Sequence, residues 1–264
     1  WANVPYPGLR WASELLGHVA TEEQMWSLFS TIYRLDSGWN SSFWEEQGNV
    51  LEYRKKALNK IGSAHVTLIS DGWQLEVELA RDTLWAGGRT TLASKRYFTP
   101  TLPVQSLHAA LNSTSAQGTF ASSRPFYVLG TEVTGAWFTV QNGEVTEWQA
   151  KTGKAALDAF FSIDEGSRYV SELSLADNDT IESRYLEKSI HPHFAKEITT
   201  SVILGGFSLD TLTDQSNDDD IKQSKLNESL VRLEIPVGDT HLSVSLRTDD
   251  EQSHELMIEG VYNL

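Results

Sequence analysis

The chain has 264 residues, of which 40% are hydrophobic and 10% aromatic, so it is long and apolar enough to bury a sizeable core and is not disordered as a whole. Its formal net charge of −15 excludes binding to nucleic acids or anionic membranes driven by bulk electrostatics. It contains no cysteine, which excludes disulfides and cysteine nucleophiles and leaves histidines and carboxylates as ligands for any metal ion.

The first third of the chain has the periodicity of helices. Thr21 and Gln24 have the spacing of a capping box, in which each side chain accepts a hydrogen bond from a free backbone N–H of the other residue. Gly62 supplies a left-handed end for the third helix. The three predicted helices lie in PGLRWASELLGHV, TEEQMWSLFSTIYRL and SFWEEQGNVLEYRKKALNKIG.

Strands are predicted next, followed by mixed elements. AHVTLIS and WQLEVELA alternate around a turn at Asp71-Gly72, and Asn142-Gly143 predicts a type I′ hairpin. KTGKAALDAFFSIDEGSRYVSEL is predicted as one or two helices, with Glu172 at the far end of the pattern, and FAKEITTSVILGG as a short helix. Strands return between Ser229 and Met257. This order predicts an α+β fold, with N-terminal helices before a mixed β-sheet with hairpins, and a single domain over residues 1–264.

The stretch NESLVRLEIPVG raises the question of a functional site. Along an extended strand Arg232 and Glu234 point to one face, while Val231, Leu233 and Ile235 point to the other. Such a polar pair is either a solvated surface or one wall of an active site, and the alternation does not decide between the two.

Two other polar groups are weaker candidates. His191 and His193 form an H-x-H pair that could bind a metal ion from a strand, but Pro192 between them favours partly exposed loop histidines. The three aspartates at positions 218–220 lack the ligand spacing and the glycine of a calcium loop, so we interpret them as part of a solvated loop. Phosphate-binding glycine loops, H-E-x-x-H and G-x-S-x-G are absent from the sequence.

Six blocks of the sequence, taken in order, resemble the thermophilic metallo-aminopeptidase family that includes aminopeptidases T and S. They are VPYPGLRWASELLG, FWEEQGNVLEYRKKALNKIG, LWAGGR, AWFTVQNGEV, IDEGSRYVSEL and LNESLVRLEIPVG, and the resemblance runs from Val4 to Tyr262. It implies the C-terminal part of that fold, and removal of N-terminal residues from peptides with two divalent metal ions. Family members carry an additional α/β domain ahead of this region. Because the chain starts at Trp1, we expect that domain to be absent from it, as in a fragment, a processed chain or a split protein.

The resemblance also implies where the family's site residues fall. Glu172 keeps the glutamate that bridges the two metal ions, and Glu234 replaces an aspartate by another carboxylate. The positions that have lost the family's residue are Ser106 (a metal-binding glutamate), Val202 (a histidine), Leu209 (near the catalytic tyrosine) and Arg232 (a histidine). These changes together indicate a degenerate metal site.

Arg232 decides which function we predict. A guanidinium has no free lone pair and carries a fixed positive charge, so it cannot coordinate a cation. We therefore expect Arg232 to stand in place of a metal ion between Glu172 and Glu234, with no cofactor. The predicted function is a non-catalytic, cytoplasmic aminopeptidase-like protein that serves as a regulatory, scaffold or peptide-binding partner. Because family members generally dimerise, we expect a homodimer or a heterodimer with a related chain, without nucleic-acid or membrane partners.

Two alternatives remain open. A rebuilt zinc or cobalt centre would keep peptidase activity with a single metal ion. His108 suits such a centre because it lies two residues beyond Ser106, on the same face of an extended segment. Its candidate ligands are Glu172, Glu234, His108, His191 and His193. Alternatively, only the fold is shared and the 9 tryptophans serve a protein or carbohydrate surface, which their exposure would test.

Overall fold

Helices form the start of the chain, as the periodicity predicts. The computed structural model describes residues 4–35, 41–62, 64–180, 183–184, 197–212 and 225–264, without the side chains of residues 41 and 42. Thr21 and Gln24 form the predicted capping box, and Gly62 follows the third helix with φ +83°. In the described residues the helices are α1 Leu9–Leu16, α2 Glu22–Ile32, α3 Ser41–Ile61 and α4 Lys154–Phe160, with 3₁₀ turns at Glu165–Arg168 and Leu209–Thr211.

Strands make up most of the remaining described structure. They are β1 Ala64–Ser70, β2 Trp73–Glu78, β3 Ala86–Gly87, β4 Thr90–Thr91, β5 Tyr97–Phe98, β6 Ser106–Ala110, β7 Gln117–Ala121, β8 Phe126–Val128, β9 Thr131–Val133, β10 Trp137–Gln141, β11 Glu144–Gln149, β12 Val170–Ala176, β13 Ser201–Gly205, β14 Arg232–Pro236, β15 Ser243–Thr248, β16 Ser253–Ile258 and β17 Val261–Tyr262. The predicted α+β fold is therefore confirmed.

Thirteen of these strands form two antiparallel sheets in the described part of the chain, and β4-β5 and β8-β9 form two short two-stranded sheets. The larger sheet has eight strands in the order β11-β10-β7-β2-β1-β15-β16-β17, and the smaller has five in the order β14-β13-β12-β6-β3. The predicted hairpins are both present in the larger sheet. Asn142 and Gly143 have φ +51° and +84° between β10 and β11, which fits the predicted type I′ turn.

Two segments that the sequence predicts as helices contain strands instead. KTGKAALDAFFSIDEGSRYVSEL starts with α4 and a 3₁₀ turn, as predicted, but from Val170 it is β12, so Glu172 lies inside a strand and not at a helix end. FAKEITTSVILGG is not a helix over its second half, where β13 begins at Ser201. Both strands are buried on both faces, so their sequences lack the apolar–polar alternation of a half-exposed strand.

The five-stranded sheet has one apolar face and one polar face. Alternate residues of β6, β12, β13 and β14 belong to the large hydrophobic core: Leu107, Ala109, Leu173, Leu175, Val202, Leu204, Leu233 and Ile235. The intervening residues point to the opposite face. They include Ser106, His108, Glu172, Ser174, Arg232 and Glu234. The polar face is therefore the part of the fold that carries the predicted site residues.

Tryptophan exposure in the described residues varies from side chain to side chain. Trp73 and Trp85 are buried, while Trp26 and Trp137 are 43% and 37% exposed. Trp137 lies on β10, and Trp26 lies on α2. The described helices include none long and apolar enough to span a membrane. The single-domain boundary over residues 1–264 stays a prediction.

Candidate functional site

The register of the five-stranded sheet brings Glu172, Arg232 and Glu234 to one place. Glu172 on β12 lies opposite Ile203 on β13, and Ile203 lies opposite Glu234 on β14. Arg232 is two residues before Glu234 and therefore points to the same face, opposite Gly205. The alternation read in NESLVRLEIPVG thus corresponds to a real strand, and its polar side meets Glu172 two strands away.

The guanidinium of Arg232 forms a two-pronged ion pair with Glu172. Nη1 donates to Oε2 and Nη2 donates to Oε1 of Glu172, both at 2.8 Å. On the other side, Nε and Nη2 donate to Oε1 of Glu234 at 3.3 and 3.2 Å. Nη1 also donates to the carbonyl oxygen of Gly206 at 3.2 Å. The planar guanidinium therefore occupies the space between the two carboxylates.

Ser208 completes the hydrogen bonding of Glu172 from the far side. Its backbone N–H donates to Oε2 at 2.6 Å, and its hydroxyl donates to Oε1 at 3.2 Å. Both carboxylate oxygens of Glu172 therefore accept hydrogen bonds from Arg232 and from Ser208. A carboxylate held in this way is strongly favoured in its ionised form.

Burial and pairing oppose each other in setting the charges of this ion-pair cluster, which consists of Glu172, Arg232 and Glu234. Their side chains are 1%, 28% and 21% exposed. Burial raises the pKa of Glu172, but the hydrogen bond from Arg232 and the nearby His108 outweigh it, so this pKa lies below its usual range. Burial lowers the pKa of Arg232, but Glu172 and Glu234 outweigh that effect and raise it. The cluster therefore contains one fixed positive charge between two carboxylates.

His108 lies on the same face of the sheet and contacts Asp210. Its Nε2 is 2.9 Å from Oδ1 of Asp210, whose side chain is 62% exposed, whereas that of His108 is only 6% exposed. Nδ1 of His108 is buried and has no hydrogen-bond partner among the described residues. The structure thus places His108 on the same face of the sheet as Glu172, as the single-metal alternative requires. Its partner, however, is Asp210, which was not among the residues predicted from the sequence.

Ser106 is held by a buried carboxylate and not by the ion-pair cluster. Its backbone N–H and its hydroxyl each donate to Oε2 of Glu197 at 3.0 Å, and the N–H of Gln105 donates to the same oxygen at 2.8 Å. Along β12, Ser106 lies opposite Ala176, at the other end of the strand from Glu172. The residue that the resemblance aligns with a metal-binding glutamate therefore has a different partner.

Val202 and Leu209 do not join the cluster. Val202 lies opposite Leu173 and points into the hydrophobic core, away from the polar face. Leu209 is 74% exposed in its 3₁₀ turn. Its two neighbours, Ser208 and Asp210, make the contacts with the polar face described above.

The remaining candidates lie outside the described residues, and three contact residues were not predicted. His191, His193 and the aspartates at 218–220 fall in the undescribed part. The residues that sequence reasoning missed are Ser208, Asp210 and Glu197. The available signal was the proximity of Ser208 and Asp210 to the aligned position of the catalytic tyrosine.

Comparison with known proteins identifies the family. The sequence model of the family described as thermophilic metalloprotease (M29) matches residues 1–262. The chain belongs to the M29 family. This confirms the resemblance drawn from the six sequence blocks.

The relatives of this M29 chain are longer than it is. It is 25% identical to aminopeptidase T of Thermus aquaticus and 22% identical to aminopeptidase 2 of Geobacillus stearothermophilus, in each case over 98% of the chain and 64% of the relative. The solved structure of wild-type AmpT from Thermus thermophilus matches all of the chain and 65% of its own length, with a TM-score of 0.88 and 23% identity. The chain therefore has the fold of that part of AmpT.

The residues of this cluster do not fit the metal ions that the M29 family implies. The oxygens of Glu172 that a cation would need are bonded to Arg232 and Ser208, and the fixed positive charge of Arg232 repels a cation. Ser106 faces Glu197, and Val202 faces the core, so neither contributes a ligand here. Among the residues that the structure describes, no three histidine or carboxylate side chains form a metal-binding group.

The lowered pKa of Glu172 predicts an acid-dependent contribution to stability. Folding lowers the pKa of Glu172 from its value in the unfolded chain, which is near 4.5. Such a carboxylate stabilises the native state fully at pH values above 4.5, and this contribution is lost as the pH falls through the lower pKa of the folded state. The stability difference between wild type and Glu172→Gln should therefore be largest at neutral pH and should shrink below about pH 4.5. Urea unfolding of both proteins over a series of pH values measures it. A difference that does not change with pH would contradict the assignment of a charged, paired Glu172.

Proposed function

We propose that this M29 chain is an aminopeptidase-like protein in which the ion-pair cluster replaces the dinuclear metal site, and that it works without catalysis. The observation that carries the proposal is the two-pronged pair between Arg232 and the buried Glu172, with Glu234 on the other side of the guanidinium. The role that fits is that of a regulatory, scaffold or peptide-binding partner.

Charge compensation supports the proposal. Glu172 and Glu234 face each other across one point, and two carboxylates in such a position repel each other unless a cation lies between them. In a metallopeptidase that cation is the metal ion. Here Arg232 supplies a permanent cation from the same chain, which lies between the two carboxylates and reduces their repulsion without a metal. The fold then keeps its arrangement while the metal chemistry is lost.

The same proposal extends to partners and place of action. We propose that the chain pairs with a second copy or with a related aminopeptidase-like chain, binds peptides and acts in the cytoplasm. The chain spans 64% of the length of its curated relatives.

Calorimetric titration of the metal-stripped protein with Zn²⁺ and Co²⁺ at neutral pH tests the proposal. We expect only the weak, millimolar binding of scattered surface carboxylates, because Arg232 both fills the site and repels the ion. A single site of micromolar or tighter affinity would contradict the proposal.

Two variants identify the source of any tight binding. If His108, His191 and His193 form a rebuilt single-metal centre with the glutamates, Glu172→Gln and His108→Ala should each abolish it. Glu255→Gln is the matched control, because this carboxylate lies on β16 in the other sheet. Tight binding that is lost in the first two variants and kept in the control would replace the proposal by the active, single-metal alternative.

A further inference from the structure

Strand β14 is the outer strand of the five-stranded sheet, and the described residues place no further strand of that sheet on its outer side. The N–H of Gly206 donates to the carbonyl of Val231, and the N–H of Val237 donates to that of Thr200. In an antiparallel ladder, alternate residues of a strand direct their backbone N–H and C=O groups to the same neighbouring strand. Because Val231 and Val237 pair with the chain on the β13 side, the odd-numbered residues of β14 face β13, and the backbone groups of Arg232 and Glu234 point outward. Within the described part of the chain, these four outward N–H and C=O groups have no hydrogen-bond partner.

The unpaired edge is limited at one end and open at the other. The N–H of Ser123 donates to the carbonyl oxygen of Pro236 at 2.9 Å, so the far end of β14 is already covered. At the near end, Leu230 is 94% exposed. Its backbone is fixed by Asp164, whose Oδ2 accepts from the N–H of Leu230 at 2.8 Å. An unpaired strand edge with an exposed apolar side chain at its start is the geometry to which an extended segment adds as a further strand.

The surroundings of this edge are acidic. A cleft of about 460 Å³ lies beside the Asp164 loop, and its lining contains Asp164, Glu165 and an ion pair between Arg168 and Glu144, with Nη1 and Oε1 3.7 Å apart. Glu228, just before Leu230, is exposed. The positive charge of Arg232 is already used by Glu172 and Glu234. The occupant with complementary charge is therefore a basic segment.

We propose that β14 binds an extended, lysine- or arginine-rich peptide segment by strand addition. The backbone of the segment pairs with Arg232 and Glu234, an apolar side chain contacts Leu230, and basic side chains reach the carboxylates of the cleft. A free amino terminus is not needed, because the recognised feature is the backbone of an internal stretch. The inference rests on the proposed function, since a site without catalysis can hold such a segment uncut.

The test uses a peptide of about eight alternating lysine and valine residues, acetylated and amidated at its ends, with two N-methylated versions. One version is methylated on the valines and the other on the lysines. Strand addition uses the N–H groups of only one of these two sets. We expect one methylated peptide to bind about tenfold or more weakly and the other to bind like the parent. Fluorescence anisotropy in the presence of a chelator measures the affinities.

Variants of the protein test the same contact from the other side. Glu234→Pro removes one outward N–H at a position where an edge strand tolerates proline, whereas Glu234→Gln removes only the charge. We expect Glu234→Pro to weaken binding about tenfold more than Glu234→Gln does. The peptide comparison with wild-type protein still decides the matter if the proline variant fails to fold.

Three outcomes would overturn strand addition. They are no binding of the parent peptide, equal binding of all three peptides, and equal binding by the proline and glutamine variants. A wild-type dimer that Glu234→Pro turns into a monomer, without peptide binding, would assign the edge to a second copy of the chain instead. The zinc titration judges the proposed function separately, because the chelator removes any metal from the peptide experiment.

Discussion

Replacing Arg232 by alanine should lower the free energy of unfolding by about 3–5 kcal/mol, the range found when one partner of a buried ion pair is removed. The side chain of Glu172 is 1% exposed, so without the guanidinium its charge would remain buried with Ser208 as its main hydrogen-bond donor. Glu234 would face it across the vacated space, and the two carboxylates would raise each other's pKa until one is protonated. Urea unfolding at neutral pH, followed by tryptophan fluorescence, measures the loss.

An exposed ion pair provides the matched control for Arg232→Ala. Arg184 pairs with Asp179, and these side chains are 68% and 63% exposed. Arg184→Ala should leave the free energy of unfolding close to that of wild type, as is usual for surface pairs. The double variant Arg232→Ala/Glu172→Gln should lose less free energy of unfolding than the sum of the two single variants, because Arg232 and Glu172 share one interaction. If Arg232→Ala costs no more than Arg184→Ala, the cluster is not a buried replacement for a metal ion.

Local signals in the sequence predicted the parts of the fold that local physics determines. The capping box at Thr21 and the hairpin at Asn142-Gly143 depend on residues that are close in sequence, and both are present in the structure. The strands β12 and β13 were misassigned because they are buried on both faces. Their apolar runs have no period-two alternation, so only the neighbouring strands of the sheet specify their conformation.

The candidate site was predictable on one strand and unpredictable across strands. Alternation alone placed Arg232 and Glu234 on one face. Their partner Glu172 is sixty positions earlier in the chain, and only the family resemblance linked it to them. For Ser208 the sequence offered only its position beside the aligned catalytic tyrosine, because its main contact is made by a backbone N–H that every residue but proline carries. Val202 was assigned to the site through a predicted helix, but it lies on strand β13.

The ion-pair cluster explains how an M29 fold can keep two facing carboxylates. A buried carboxylate needs a cation or several donors to remain ionised. Glu172 has both, because Arg232 provides the charge and Ser208 provides further hydrogen bonds. The requirement that a metal ion would meet is thus met by a side chain that no chelator can remove.

If the proposed function is correct, Arg232→His should create a metal site at the ion-pair cluster. The guanidinium nitrogens lie 2.8 to 3.3 Å from oxygens of Glu172 and Glu234, so the space that it leaves is lined by both carboxylates. An imidazole at this position adds a third ligand and removes the permanent positive charge, and three protein ligands with an open position suffice for zinc. We expect one micromolar site for Zn²⁺, a gain of about a thousandfold over wild type, or about 4 kcal/mol. Calorimetric titration of the metal-stripped variant measures it.

Arg232→His both removes the positive charge and adds an imidazole ligand, and Arg232→Gln separates these two effects. It also removes the positive charge but adds no strong ligand, so it should bind zinc far more weakly than Arg232→His. Adding Glu172→Gln to Arg232→His should abolish the new site, because Glu172 is the most deeply buried of the carboxylates. If Arg232→His binds zinc no better than wild type does, the carboxylates are not held as a vacated metal pocket. Arg232 would then be a structural residue that belongs to this sheet and not a substitute for an ion.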